Sequence, residues 1–311
     1  MRVTQLTGVP DGSLRWIVGR SRRRPRSIIF PLRAVSRTGP VAAAFYKQLW
    51  VRPGDSNAQA VRSEFVRAVT ARSVALTNKV AAVAVRENIW LAPILAADLD
   101  RPAMITMKVP GRPLGKTVWS ALAPGRRRAL TAFLRLGRAI RLIEAATAGD
   151  VTPDERYREQ VFLRLARRGT EFLSARQREA LERRFRELYA QAVADGDGIA
   201  HVHGDLAPGN ILVSPDGIGL VDFEWPIRFY GYDLVSLIHR LEVETPRWTP
   251  WVSSLTRALF EGYGQPDIRE KPSWLFMRLE RLLRSVTAAL GKSRRRPQAF
   301  GRLLAELKAQ T

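Results

Sequence analysis

The hydrophobic rhythm of the chain changes near residue 110. Before that point apolar residues come in short runs and alternations. Leu14 to Val18, Ser27 to Val35 and Val41 to Val51 read as β-rich segments, the last two joined by the turn residues Ser36-Arg37-Thr38-Gly39-Pro40. Ala103 to Met107 reads as a further, buried strand. Val61, Phe65, Val69 and Leu76 recur at helical spacing and predict one helix over 58–76. Beyond Pro124 the period becomes helical. Leu130, Phe133, Leu134, Leu136, Ile140 and Ile143 give 126–148 a broad apolar face, and 153–168, 175–194, 255–263, 273–290 and 297–307 are further amphipathic candidates. One β interruption breaks this helical stretch: Ile211 to Val213 and Ile218 to Val221 flank Ser214-Pro215-Asp216-Gly217, which predicts a hairpin.

The Pro110-Gly111 pair marks a linker, so the pattern predicts an α+β chain of two domains, 1–110 with a small antiparallel sheet and one helix, and 111–311 mainly helical. The hydrophobic content of 46% supplies ample core. There is no apolar run long enough for a membrane span, the first residues lack a signal-peptide core, and Cys is absent. These features point to the cytoplasm. A net charge of +22 predicts attraction to anions: nucleic acid, an anionic membrane face, phosphorylated sugars or ATP. The excess is spread along the chain and is equally the mark of a GC-rich genome. Nucleic acid is not expected as a partner, because no basic stretch is interleaved with exposed aromatics. Peripheral contact with the inner membrane face stays open.

The candidate chemistry gathers on the predicted hairpin. Asn210 stands where the chain enters it and Asp222 where the chain leaves it, and adjacent strand ends bring the two oxygen ligands together for a hard cation such as Mg²⁺. Asp205 lies five residues earlier, in the loop leading in, where it can face a substrate hydroxyl. Lys47 has its own two readings. Alternation sets Phe45, Lys47 and Leu49 on one face, and a lysine between large apolar neighbours either snorkels to solvent or points at an anion.

His203-Gly204-Asp205, Pro208, Asn210 and Asp222-Phe223 together resemble the catalytic loop and metal motif of the protein-kinase-like superfamily, in its aminoglycoside phosphotransferase and choline kinase branch. Val109-Pro110-Gly111-Arg112-Pro113-Leu114 is similar to the hinge of the same enzymes. Two positions depart from the pattern: Ala207 stands where many aminoglycoside-type loops carry His, and Glu224 follows Asp222-Phe223 as in choline kinases.

The resemblance implies a two-lobed kinase-like fold that moves the γ-phosphoryl group of ATP, or of GTP, to the hydroxyl of a small-molecule, sugar or glycan/lipid-precursor acceptor. It implies Asp205 as the base, His203 as a brace of its loop, and Asn210 and Asp222 as Mg²⁺ ligands. Lys47 would hold the nucleotide phosphates, Glu64 would orient Lys47, and the backbone at Met107 and Val109 would hold the base. Asp233 would brace the catalytic loop, or else serve as an ordinary acid at a helix start. A phosphate-covering loop is expected over Gly19 to Arg26, a stretch poor in Gly, where Arg side chains replace backbone amides, form a solvated turn or make a general anion-binding arm. The alternative function is a catalytically silent kinase-like module that holds an anionic partner.

Overall fold

A computed structural model describes residues 15–24, 27–37, 39–49, 63–115, 126–149, 151, 155–244, 249–290 and 297–309. The predicted helix start over 58–62 and the residues Trp50 and Val51 of a predicted β-rich segment lie outside the described residues. Contacts divide the chain into two compact units, one of Met1–Pro113 with Ile211–Trp225 and one of Leu114–Asn210 with Pro226–Thr311.

The first unit is built on an antiparallel sheet. Strands β1 (Arg15–Val18), β2 (Arg22–Arg24), β3 (Ser27–Ser36), β4 (Gly39–Leu49), β6 (Ile94–Asp98) and β7 (Ala103–Met107) order as β1-β3-β4-β7-β6, and β2 also pairs with β3. Gly19 sits at the joint between β1 and β2. Its N–H bonds the Pro31 carbonyl at 2.8 Å, and a Cβ there would press on the Pro31 ring at 2.9 Å. Within the stretch expected to be a phosphate-covering loop, Gly19 to Arg26, the residues Arg22, Arg23 and Arg24 are strand, paired with Ile29, Ile28 and Ser27, while Pro25 and Arg26 lie outside the described residues.

A second sheet in this unit orders as β5-β11-β10-β8, where β5 is Ile89–Leu91, β8 Arg112–Pro113, β10 Ile211–Val213 and β11 Ile218–Leu220. Strands β10 and β11 form the predicted hairpin, with Ile211 opposite Leu220 and Val213 opposite Ile218. The turn closes on Ser214, whose hydroxyl accepts from the N–H groups of Asp216 and Gly217 at 3.2 Å each.

Helix α1 (Glu64–Ala84) starts on Ser63, whose side chain accepts from the N–H of Val66. It buries Val66, Thr70, Thr77, Val80 and Ala84, while Phe65 is 68% exposed. The predicted face was therefore displaced by one position. Two threonines occupy the inward stripe because both hydroxyls find partners, Thr70 on the Val66 carbonyl at 2.8 Å and Thr77 on the indole N–H of Trp225 at 3.3 Å.

Among its described residues, the second unit consists of helices with one strand pair. Helices α2 (Arg126–Thr147), α3 (Glu155–Arg168), α4 (Ala175–Ala194), α7 (Pro272–Leu290) and α8 (Pro297–Lys308) lie close to their predicted spans, α6 (Thr249–Tyr263) starts ahead of its predicted span over 255–263, and α5 (Tyr232–His239) stands between α4 and α6. Ser174 and Gln177 form a capping box at the start of α4. Phe276 on α7 centres an aromatic core, with Tyr157, Phe185, Tyr189 and Phe229 at ring distances from 5.4 to 6.3 Å. The strands β9 (Ile199–His201) and β12 (Ile227–Phe229) pair antiparallel. Among the described residues no helix is long and apolar enough to cross a membrane.

Candidate active site

In the first unit, Lys47 extends from β4 on the face predicted by alternation, in register with Ile29 of β3 and Met104 of β7. Its ammonium donates to Asp222 Oδ1 at 3.0 Å, with the lysine side chain 25% exposed and the aspartate 53%. Asp222 follows β11 in the left-handed region, φ 61°, a conformation that Asp tolerates better than most residues. The next residues lock the segment to helix α1. Phe223 stacks on Trp225 at 4.4 Å and 18°, and the fully buried Trp225, itself at φ 52°, donates its indole N–H to Thr77.

Glu64 is the exposed first residue of α1, and among the described residues Lys47 pairs with Asp222. At the predicted hinge the N–H groups of Met107 and Lys108 bond the carbonyls of Pro93 and Ala43, at 2.9 and 2.8 Å. Val109 is buried over Gly219, where a Cβ would strike its Cγ1. Gly111 holds φ 113° against the backbone of Val213, a position that only glycine fits.

In the second unit, the loop after β9 carries His203, Asp205 and Asn210. Asn210 donates its amide to the Asp205 carbonyl at 2.9 Å and to Asp205 Oδ2 at 3.4 Å. Arg240 donates to the other carboxylate oxygen, Oδ1, at 2.7 Å. Both oxygens of Asp205 thus face donors, and its direction is fixed. His203 is fully buried, and its Nδ1 accepts from the Asp205 N–H at 3.4 Å. That geometry suits a brace rather than a base.

The brace continues into α5. Asp233 accepts from the N–H groups of His203 and Gly204 at 2.7 and 3.0 Å, so it serves the loop and is not merely an acid at a helix start. Burial raises its carboxyl to about 6 despite those two bonds. Helix α2 holds the same assembly from behind. Thr147 donates its hydroxyl to the His201 carbonyl at 2.7 Å, and Glu144 accepts from the Gly231 N–H at 2.8 Å and from the Tyr263 hydroxyl at 2.6 Å. Burial raises the Glu144 carboxyl to about 8, against the two donors.

Sequence reasoning missed Arg240, Glu144 and Thr147. A signal existed for Glu144, a lone carboxylate on the apolar stripe of Leu136, Ile140 and Ile143. None existed for Arg240, which no motif spacing ties to Asp205.

The donor chemistry fits magnesium. Among the described residues no group of three or more His, Cys, Asp or Glu could cage an ion. Mg²⁺ at kinase-type sites keeps waters and phosphate oxygens and takes only one or two protein ligands. Asp222 is exposed enough to offer a carboxylate oxygen, and Asn210, with its NH₂ turned to Asp205, offers a carbonyl oxygen.

An antiparallel sheet bearing a lysine–aspartate pair, with a helical unit bearing a braced Asp–Asn loop, defines a kinase-like phosphotransferase fold. Residues 63–279, more than half of the chain, match the model of the phosphotransferase enzyme family, and the chain belongs to that family. The fold is similar to that of an aminoglycoside 2'-phosphotransferase in its GDP complex, at 16% identity over 99% of this chain and 97% of that one, with a TM-score of 0.55. It is similar to a choline/ethanolamine kinase family protein from Mesorhizobium loti, at 18% identity over 99% and 92% of the two chains and a TM-score of 0.55. A choline kinase from Streptococcus pneumoniae aligns at 12% identity over 94% of each chain, also with a TM-score of 0.55. No curated protein matches the sequence.

Proposed function

We propose that the protein transfers the γ-phosphoryl group of ATP, with GTP as the alternative donor, to a hydroxyl of a small-molecule acceptor. The observation that carries this reading is the fixed carboxylate of Asp205, held between Asn210 and Arg240 in a loop whose family is that of phosphotransferases. Solved relatives named for aminoglycosides and choline, one of them bound to GDP, support a nucleotide donor and a small acceptor.

Asp205 accepts the proton of the acceptor hydroxyl as its oxygen attacks the γ-phosphorus, and the bond to the bridging oxygen of the nucleoside diphosphate breaks. The transition state is loose, so catalysis comes from positioning and neutralisation of charge. Lys47 holds the nucleotide phosphates, and the backbone around Met107 and Val109 holds the base. Glu64 is proposed to orient Lys47 when nucleotide is bound. Asn210 and Asp222 hold Mg²⁺, which when bound neutralises charge on the phosphate oxygens. His203 and Asp233 keep the loop in place.

The cation beside Asp205 supports a neutral or anionic polyol as acceptor, a sugar, sugar phosphate or glycan/lipid precursor, over a cationic one. The test is release of nucleoside diphosphate across panels of sugars, sugar phosphates, nucleosides, amino alcohols and aminoglycosides, with Asp205→Asn as the control. Turnover confined to cationic acceptors would overturn the acceptor class. Turnover undiminished in the control would overturn the role of Asp205.

A further inference from the structure

The nucleotide phosphates in kinases are covered by a glycine-rich loop whose backbone amides supply positive charge. Among the described residues, the β2–β3 hairpin leaves no span for one. Strand β2 runs on to Arg24, which is paired to Ser27, so only residues 25 and 26 stand between the paired strands. The amides of a strand lie in the plane of its sheet, directed at a neighbour or out from the edge. Those of β2 are therefore not turned onto the face that carries Lys47.

What does stand on that face is a side chain. Directly opposed residues in an antiparallel ladder project to the same side of the sheet. Arg22 opposes Ile29, and Ile29 opposes Lys47, so Arg22 and Lys47 share a face with one strand between them. At about 4.8 Å per strand their backbones lie roughly 10 Å apart, a separation that two long cationic side chains can close around one polyphosphate. Arg22 is exposed, and Lys47 already points at Asp222. A guanidinium also grips phosphate oxygens in pairs, which a lysine does not.

We infer that Arg22 is a second phosphate-binding cation, taking the place of the glycine-rich cradle and closing on the polyphosphate chain of the nucleotide from the edge of the sheet opposite Asp222. The inference rests on the phosphotransferase reading above.

The test is the affinity of Arg22→Ala, Arg22→Lys and the wild type for Mg·ATP and Mg·GTP, each compared with the matching nucleoside, by calorimetry. Arg72→Ala, an exposed arginine on α1, controls for the loss of one positive charge. Loss of a charge-assisted pair predicts a tenfold to hundredfold weakening, roughly, for the triphosphate in Arg22→Ala. The nucleoside affinity is unchanged, Arg22→Lys falls in between, and Arg72→Ala behaves as wild type. An Arg22→Ala protein that binds the triphosphate like wild type, or that loses nucleoside in the same proportion, overturns the role of Arg22 and leaves the phosphotransferase reading standing. A wild type that binds neither triphosphate overturns both.

Discussion

Arg240 holds Asp205 Oδ1 at 2.7 Å from the π-helical segment Arg240–Glu244 that continues α5, while Asn210 reaches Oδ2 from the same loop as Asp205 itself. The carboxylate is thereby aimed before any substrate arrives. A base acting in phosphoryl transfer contributes by position as much as by proton affinity. Asp205→Asn keeps the shape and removes the base, and kcat is expected to fall by about a hundredfold to ten-thousandfold. Arg240→Ala leaves the base but releases its direction, so kcat falls by roughly tenfold while the KM for nucleotide stays as it was. Steady-state kinetics on both variants check the pair. A rise in nucleotide KM with unchanged kcat in Arg240→Ala would place Arg240 on the nucleotide instead.

The pair between Lys47 and Asp222 makes a separate prediction. A ligand at a hundred times its Kd stabilises a protein by about 2.7 kcal/mol. With Mg²⁺ present, ATP or GTP is expected to raise the melting temperature of the wild type. Asp222→Ala loses the Mg²⁺-dependent part of that rise, while its melting temperature without ligand falls only slightly, by the cost of holding Ala in the left-handed region, since the ion pair itself is half exposed. Persistence of the Mg²⁺ effect in Asp222→Ala would move the metal to other ligands.

Much of this arrangement was legible because its signals are local. The hairpin around Ser214 to Gly217 combines turn chemistry with two apolar runs, and the spacing from His203 to Asp222 follows from it. The face of Lys47 follows from strict alternation in β4. Legibility failed where a polar side chain is satisfied by a distant partner. Thr70 and Thr77 count as polar in a periodicity, yet they line the buried face of α1, and that moved Phe65 to the outside. It failed again at Arg22 to Arg24, where strand pairing with β3 overrides the loop-like composition. Arg240 and Asp205 are 35 residues apart and meet only because α5 is tied to the loop through Asp233.

The buried carboxyl of Glu144 predicts a pH dependence. Its folded value of about 8 lies above its ordinary value of 4.5, because burial outweighs the bonds from Tyr263 and Gly231. The folded state therefore binds more protons than the unfolded state between those limits. Stability from this group is fully present below about pH 4.5 and is lost as pH rises through about 8. Glu144→Gln removes the titration and keeps the shape. The melting temperature of the wild type relative to Glu144→Gln is expected to fall steadily from pH 5 to pH 8, roughly. A difference that is flat across that range would mean that Glu144 is ionised in the fold.

Helices α2 and α6 cross at Gly137 and Gly262, and this crossing is the foundation of the second unit. A Cβ on Gly137 would run into the backbone of Leu259 and Tyr263, and one on Gly262 into the carbonyl of Leu134. The obstacles are main chain, so no side-chain rotation relieves them, and the helices must separate. Separation also disturbs Glu144 and Tyr263, which bond across the same pair of helices. In an open helix interior Ala is favoured over Gly by roughly 1 kcal/mol. Here the sign reverses: Gly137→Ala and Gly262→Ala are each expected to destabilise by about 1–3 kcal/mol, the range for an overpacked core. Urea denaturation measures it as a lower midpoint at unchanged slope. The two substitutions act on one contact, so the double variant should cost less than the sum of the singles. A stabilised Gly137→Ala protein would show that the two helix backbones do not meet at this point.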